Sequence, residues 1–299
     1  AITVTASSAI CAGEIKQLNV TGAQSNVVAI IGSGTALTGA TDQPTAFCNR
    51  WPSYWSQTIY SAAVFIAAVY GPGIINSMAY NINSLGDAAT NANFTVKIGT
   101  IASTTFSSTT FVSTTAFTNV YGPSNYTHTA TGWQEIVFTT PYVWDGVSNI
   151  VINVTHSGAN DIYNSQTYYT ENSGNTTIWQ RSITGTTVSG SFSANRLNIR
   201  FTGVKSTPVT WTPTAGLYTN AAATTPYTGT DAQTVYAKPT VTTQYVAAAT
   251  NVAGCSATAV TDITVNPASA LPVATSPQNF TTGQTLANLE IKPVDSSFE

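Results

Sequence analysis

The chain has 299 residues and a hydrophobic content of 42%, enough for a real core, yet only 7% of it is Asp, Glu, Lys or Arg, against about 25% in an ordinary soluble domain. The net charge of −3 and nine scattered basic residues leave no stripe that could neutralise a run of phosphates and no polybasic membrane patch, which argues against nucleic acid as a partner. Membrane insertion is equally unexpected, because the longest apolar stretch, "SAAVFIAAVYGPGII", is short and broken by Gly and Pro.

Thr, Ser, Asn, Gly and Ala stand where charges would be, with Val, Tyr and Ile among them, a mixture that favours strands and turns over helices. The expected fold is all-β. The first element, in "ICAGEIKQLNVTG" (10–22), has Cys11 just before a short strand in which Leu18 and Val20 alternate with polar neighbours. An immunoglobulin-like sandwich would then supply a core tryptophan within about twenty residues. None follows there.

Alternating strands come next, separated by turn signals at roughly the 8–12 residue spacing of sandwiches: "VVAIIG" (27–32), "SMAYNI" (77–82), "NFTVKIG" (93–99), "EIVFT" (135–139), "NIVINVT" (149–155), "TTIWQR" (176–181) and "RLNIRFTG" (196–203). "GSG" at 32–34 reads as a turn, as does Asp145-Gly146. "IYSAAVFIAAVYG" (59–71) can form a helical turn or two. Residues 27–203 hold five of the six tryptophans, whereas 206–266 is Thr/Ala/Val-rich with Trp211 alone and the strands "TQYVAAAT" (243–250) and "TDITVNP" (261–267).

Removing residues 23–205 brings Cys11 and Trp211 to the Cys-to-Trp spacing of an immunoglobulin-like sandwich. The expected organisation is therefore a discontinuous Ig-like sandwich of residues 1–22 plus 206–266, with a jelly-roll-like β-sandwich inserted at 23–205. Insertion is tolerated when the guest's ends lie close together, as antiparallel pairing of its first and last strands would ensure. Residues 267–299 read as a linker and an incomplete next repeat. The low charge and Thr/Asn-rich composition read as those of a secreted or surface-exposed chain, and in such a chain an odd count of three cysteines suggests one disulfide and one leftover thiol. A Cys11–Cys255 bond would staple both pieces of the host, worth about 5 kcal/mol in the chain-entropy model, the alternative being two free, buried thiols; Cys48 reads as a buried hydrophobe, with an intermolecular bond as its alternative.

"ICAGEIKQLNVTG", "WTPTAGLYTN", "TTQYVAAATNVAGCSATA" and "ITVNP" together resemble the Ig-like repeats of type IX-secreted surface proteins of Bacteroidota, gliding adhesins among them. "CNRWPSYWSQTIYSAAVF", "NFTVKIGT", "TGWQEIVFTTPYVWDGVSNIVINV" and "TYYTENSG" resemble a β-sandwich module of the same proteins. The resemblance implies export, an extracellular, outer-membrane-attached location, and neighbouring repeats of one long chain or filament as partners. It supplies no catalytic residues.

No enzyme motif is present: no GxSxG, HExxH, GxxxxGK[ST], or GxGxxG between strand and helix. The two histidines, His128 and His156, read as polar loop or surface residues, and with no two cysteines at metal-motif spacing a Cys/His zinc site is not expected. The acids are dispersed, and no pair is placed for glycoside hydrolysis. No catalytic role is expected and no cofactor beyond a candidate structural calcium, for which Asn160, Asp161 and Asn164 share one loop and Asp145 or Glu171 would join from elsewhere; an ordinary polar loop is the plainer reading. The densest aromatic group, Trp51, Tyr54 and Trp55 in "RWPSYW", is the candidate ligand site, since exposed rings stack on sugars; core packing is the plainer reading. The expected function is a structural, adhesive repeat of a large exported surface protein. The alternative is a carbohydrate-binding module whose partner is a surface polysaccharide.

Overall fold

The computed structural model describes residues 1–41, 44–87, 90–157, 161–181, 189–251 and 254–267, with 273–274, 282–283 and 291–292. Strand accounts for 57% and helix for 2%: the protein is all-β. Two compact units divide it, one of residues 1–23 and 207–299, the other of residues 24–206. The stretch 267–299 lies almost entirely outside the described residues; within it Val273–Ala274 pairs with Ile291–Lys292.

The discontinuous unit contains two four-stranded sheets among the described residues. One runs in the order Thr3–Val4, Lys16–Thr21, Thr234–Ala237, Leu217–Tyr218, all antiparallel. In the other, Val209–Thr212, Thr243–Thr250 and Ser256–Asn266 are antiparallel, and Ser8–Cys11 joins parallel to the end of Ser256–Asn266. Period-two patterning sends Leu18 and Val20 inward from one sheet, and Val209, Trp211, Tyr245 and Ala247 inward from the other. Trp211 is wholly buried and its indole N–H donates to the Ala232 carbonyl at 2.9 Å, while the Tyr245 hydroxyl donates to that of Ala215 at 3.0 Å. Both large rings therefore bury their apolar bodies without stranding a polar atom. The strand order and the tryptophan between the sheets are those of an Ig-like sandwich.

In this unit the Thr207 N–H donates to the Ala23 carbonyl at 2.8 Å, so the two ends of the interrupted chain are hydrogen-bonded neighbours. In the inserted unit, Gln24–Ile31 pairs antiparallel with Ile199–Ser206 from Gln24 opposite Ser206 to Ile31 opposite Ile199. The first and last strands thus close on each other along their full length.

The inserted unit packs a six-stranded sheet against a seven-stranded one, again counting described residues. Gly73–Ser84 is central to the larger sheet, flanked by Ile199–Ser206 and Gln166–Glu171 on one edge and by Gly132–Trp144 on the other. Ser53–Tyr60 and Asn149–Ser157 are central to the smaller. Between them lies an aromatic core that includes Phe47, Tyr60, Phe65, Tyr80, Phe94, Trp144 and Phe201. A six-residue helix, Ala62–Ala67, follows Ser53–Tyr60 and buries Phe65 against Trp144, ring centroids 4.7 Å apart. Its first free N–H, that of Ala62, is met by Asn149 Oδ1 at 2.9 Å, which satisfies an otherwise open helix end.

Candidate functional site

The geometry corrects the Cys11–Cys255 pairing. Cys11 stands opposite Asn266, at the far end of the strand whose first residue, Ser256, follows Cys255. That strand is 11 residues long, which separates the two thiols by roughly 35 Å at the rise of a strand. A disulfide needs Cα atoms about 4.4–6.8 Å apart. No disulfide joins the three cysteines; Cys11 and Cys255 are exposed and Cys48 is fully buried. The spacing rule that ties a cysteine to the core tryptophan assumes the two cysteines face each other across the sheets, and here one sits beyond the end of its strand.

The aromatic trio is corrected too. Tyr54 and Trp55 are consecutive in one strand, so they leave it on opposite faces and cannot share a concave surface. Tyr54 is buried at 1% exposure beside His156, ring centroids 5.4 Å apart. Trp55 stacks on Phe111 at 3.9 Å and 13°, and its indole N–H donates to Asn153 Oδ1. The segment that carries Phe106 and Phe111 covers this outer face as a small second core, pinned by the buried Gln57, whose amide N–H donates to the Val112 carbonyl at 2.7 Å and whose amide oxygen accepts from the Val112 N–H at 2.8 Å. Trp51, just before the strand, is half-buried with the Arg181 guanidinium 4.1 Å from its ring centroid. All three rings are engaged within the protein.

The calcium set does not assemble. Asp145 and Asp161 lie beyond opposite ends of the nine-residue strand Asn149–Ser157, roughly 27 Å apart along the sheet. Asp145 Oδ1 accepts from the N–H groups of Val147 and Ser148 at 2.9 and 2.8 Å, and Oδ2 from the Ser148 hydroxyl. That hydroxyl bond, then the two N–H groups, hold its carboxyl below the usual carboxylate range. Asn160 lies outside the described residues. Asn164, buried, accepts from the Arg50 N–H at 2.9 Å, and Glu171 is exposed, next to where its strand meets Asn195. Among the described residues no three His, Cys, Asp or Glu side chains group to hold a metal.

Both histidines are core residues rather than loop polars, at 1% and 4% exposure. His128 stacks on Phe47 at 4.4 Å and its Nε2 meets the Ser165 hydroxyl at 2.7 Å. His156 stacks on Phe94 at 5.6 Å, and its Nε2 accepts from the Cys48 N–H at 3.4 Å. Burial pushes each down to about 4, so both are neutral at physiological pH.

The concave feature with the chemistry of a binding site lies elsewhere, on the outer face of the seven-stranded sheet. A groove of about 550 Å³ is lined by Ser33, Thr35, Asn81, Asn83, Trp133 and Tyr168, among others. Ile82 and Thr167 turn into the interior, so Asn81, Asn83 and Tyr168 emerge on the opposite face. Trp133 sits directly across from Asn81 in the ladder and is half-buried. The Tyr168 hydroxyl donates to Asn83 Oδ1 at 2.7 Å, which fixes the phenol.

One wall is the loop "GSGT" at 32–35. Gly34 is clamped through both backbone groups: its N–H donates to Thr170 Oγ1 at 2.9 Å and its carbonyl accepts from Asn198 Nδ2 at 2.7 Å. Glycine is required at both positions. A Cβ on Gly34 would strike the Tyr169 carbonyl, and one on Gly32, at φ +94°, would overlap Asn198 Oδ1.

Among the described residues no carboxylate, amine, imidazole, guanidinium or thiol lines the groove; the Arg200 guanidinium lies 5.5 Å from the Trp133 ring centroid, outside the lining. The side chains of Ser33, Thr35, Asn81 and Thr131 have no hydrogen-bond partner among the described residues. The arrangement presents an indole with the Arg200 guanidinium over one face, together with uncommitted neutral donors and acceptors around a rigid floor. Its chemistry suits an uncharged polar ligand.

Compared with known protein families, curated proteins and solved structures, the chain finds no match. The site is not legible in the sequence, because its parts are distant in the chain and each has an ordinary local reading. The signal in the sequence is the alternation of Asn81 and Asn83 with Ile82; that "TGW" at 131–133 lies opposite is set by strand register.

Proposed function

We propose that the chain is a structural, adhesive unit of a large exported cell-surface protein, in which an Ig-like carrier holds a second sandwich between its early strands. The observation that carries this reading is the junction: Ala23 and Thr207 are hydrogen-bonded neighbours, and Gln24 pairs with Ser206, so a complete domain is housed without opening the carrier's core. A charge-poor, Thr- and Asn-rich composition and the resemblance to type IX-secreted repeats support a place outside the cell, with neighbouring repeats of the same chain or filament as partners. Antibodies to the chain should label intact cells of the source organism, with the label removed by external protease. Deletion of residues 24–206 from the chromosomal copy should reduce attachment of those cells to surfaces. Labelling that needs permeabilised cells would overturn the proposal.

A second reading, a carbohydrate-binding module, is favoured by the groove around Trp133, whose lining is neutral and rich in unengaged hydrogen-bonding groups.

A further inference from the structure

We infer that the groove formed by the 32–35 loop, Asn81, Asn83, Thr131, Trp133 and Tyr168 is a binding site for a neutral oligosaccharide, with the Trp133 indole as its stacking platform. The inference rests on the second reading above and gives it a place and a ligand class.

Four observations point to a neutral sugar. The groove volume of about 550 Å³ falls inside the range of about 300–1,000 Å³ typical of small-ligand sites, room for a few pyranose rings. Among the described residues its lining carries no ionised group, and the Arg200 guanidinium stands outside it over the Trp133 ring, so no lining side chain repays the desolvation of a phosphate or carboxylate. Sugars need the opposite, many weak neutral hydrogen bonds and one apolar face, and Ser33, Thr35, Asn81 and Thr131 supply the first while Trp133 supplies the second. The floor is rigid before any ligand arrives. Asn198 and Thr170 clamp Gly34, and Asn83 orients Tyr168, so neither the loop backbone nor the phenol has to be ordered on binding.

Asn81 and Trp133 are direct cross-strand neighbours, with side chains on the same face. A ring stacked on the indole therefore lies within reach of the Asn81 amide, which can donate to one hydroxyl and accept from its neighbour. Asn83 Oδ1 is taken by Tyr168, which leaves its amide N–H group free to donate. Arg200 stands over the Trp133 ring but outside the lining, so it makes an acidic sugar the competing ligand to test.

The full chain is titrated, with tryptophan fluorescence and calorimetry as readouts, against cello-, xylo-, manno-, laminari-, malto- and chito-hexaose, and against oligogalacturonate and alginate oligomers. At least one neutral series should bind, and Trp133→Ala and Asn81→Ala should each weaken it, the former by about tenfold or more. Trp55→Ala, on the other sheet, should leave binding unchanged. Each variant is checked by its urea midpoint, and Thr131→Val serves as a third probe should Trp133→Ala fail to fold. Neutral binding that survives Trp133→Ala and Asn81→Ala in folded protein would overturn the site while leaving carbohydrate binding in place. Preference for the acidic oligomers would overturn the ligand class. Absence of binding to every oligomer would overturn both the site and the second reading, and the cell-labelling result would be unaffected.

Discussion

Cys11 and Cys255 occupy opposite ends of one strand edge: Cys11 is in register with Asn266, and Cys255 precedes Ser256 at the other end. Neither can reach the other without unravelling the strand between them. The host sandwich is therefore held by its core and its ladders, and not by a covalent staple. Alkylation of the air-oxidised protein under denaturing, non-reducing conditions should add a label to each of the three cysteines, read as a mass shift. The double variant Cys11→Ser, Cys255→Ser should melt with the parent, in oxidising and reducing buffer alike. A reductant-dependent drop in Tm of the parent would contradict the assigned register.

Trp211 is the largest fully buried side chain of the host, and its N–H is spent on Ala232. Trp211→Ala leaves a cavity between the sheets and an unmet carbonyl, and should lower stability by about 3–5 kcal/mol. Urea unfolding read at equilibrium checks the value. Trp133→Ala on the surface of the inserted unit should cost far less.

Stability should fall in mild acid because of two histidines. His128 and His156 are held neutral in the fold, with both pushed down to about 4, whereas in the unfolded chain they titrate near 6.5. Above that pH neither state binds the proton and there is no contribution. As pH falls below it the unfolded state gains protons that the folded state refuses, so the loss grows down to about pH 4, up to about 3 kcal/mol for each histidine. Asp145, whose carboxyl is held low, adds its own loss only at still lower pH. Urea midpoints at pH 7.5, 6.0 and 5.0 should descend in that order, and His156→Gln should flatten the descent.

Residues 24–206 should fold alone. Their first and last strands pair from Gln24–Ser206 to Ile31–Ile199, and the aromatic core closes within the unit. Expressed by itself, this stretch should show one cooperative urea transition with native-like near-ultraviolet circular dichroism. A broad, featureless transition would count against its independence.

The all-β fold is legible in the sequence, because strand propensity, period-two alternation and turn residues are local properties of "NFTVKIG", "NIVINVT" and "RLNIRFTG". The same locality explains the short helix at Ala62–Ala67 within "SAAVFIAAV". Site residues were another matter. "RWPSYW" reads as a cluster because its rings are near in sequence, yet adjacent strand residues point apart, and Tyr54 and Trp55 serve different cores. His128 and His156 read as loop or surface polars in the sequence because nothing local reveals that Phe47 and Phe94 cover them.

The sequence by itself determined the class of the fold, its scarcity of charge and its lack of familiar enzyme motifs, all of which follow from residue type and short-range order. Only the tertiary structure decided which residues meet. Strand register put Cys11 beside Asn266 instead of Cys255, and set Trp133 across from Asn81 and Tyr168 against Asn83. Register is a long-range choice, made by burying one face of each strand, and no local pattern encodes the partner on the other side.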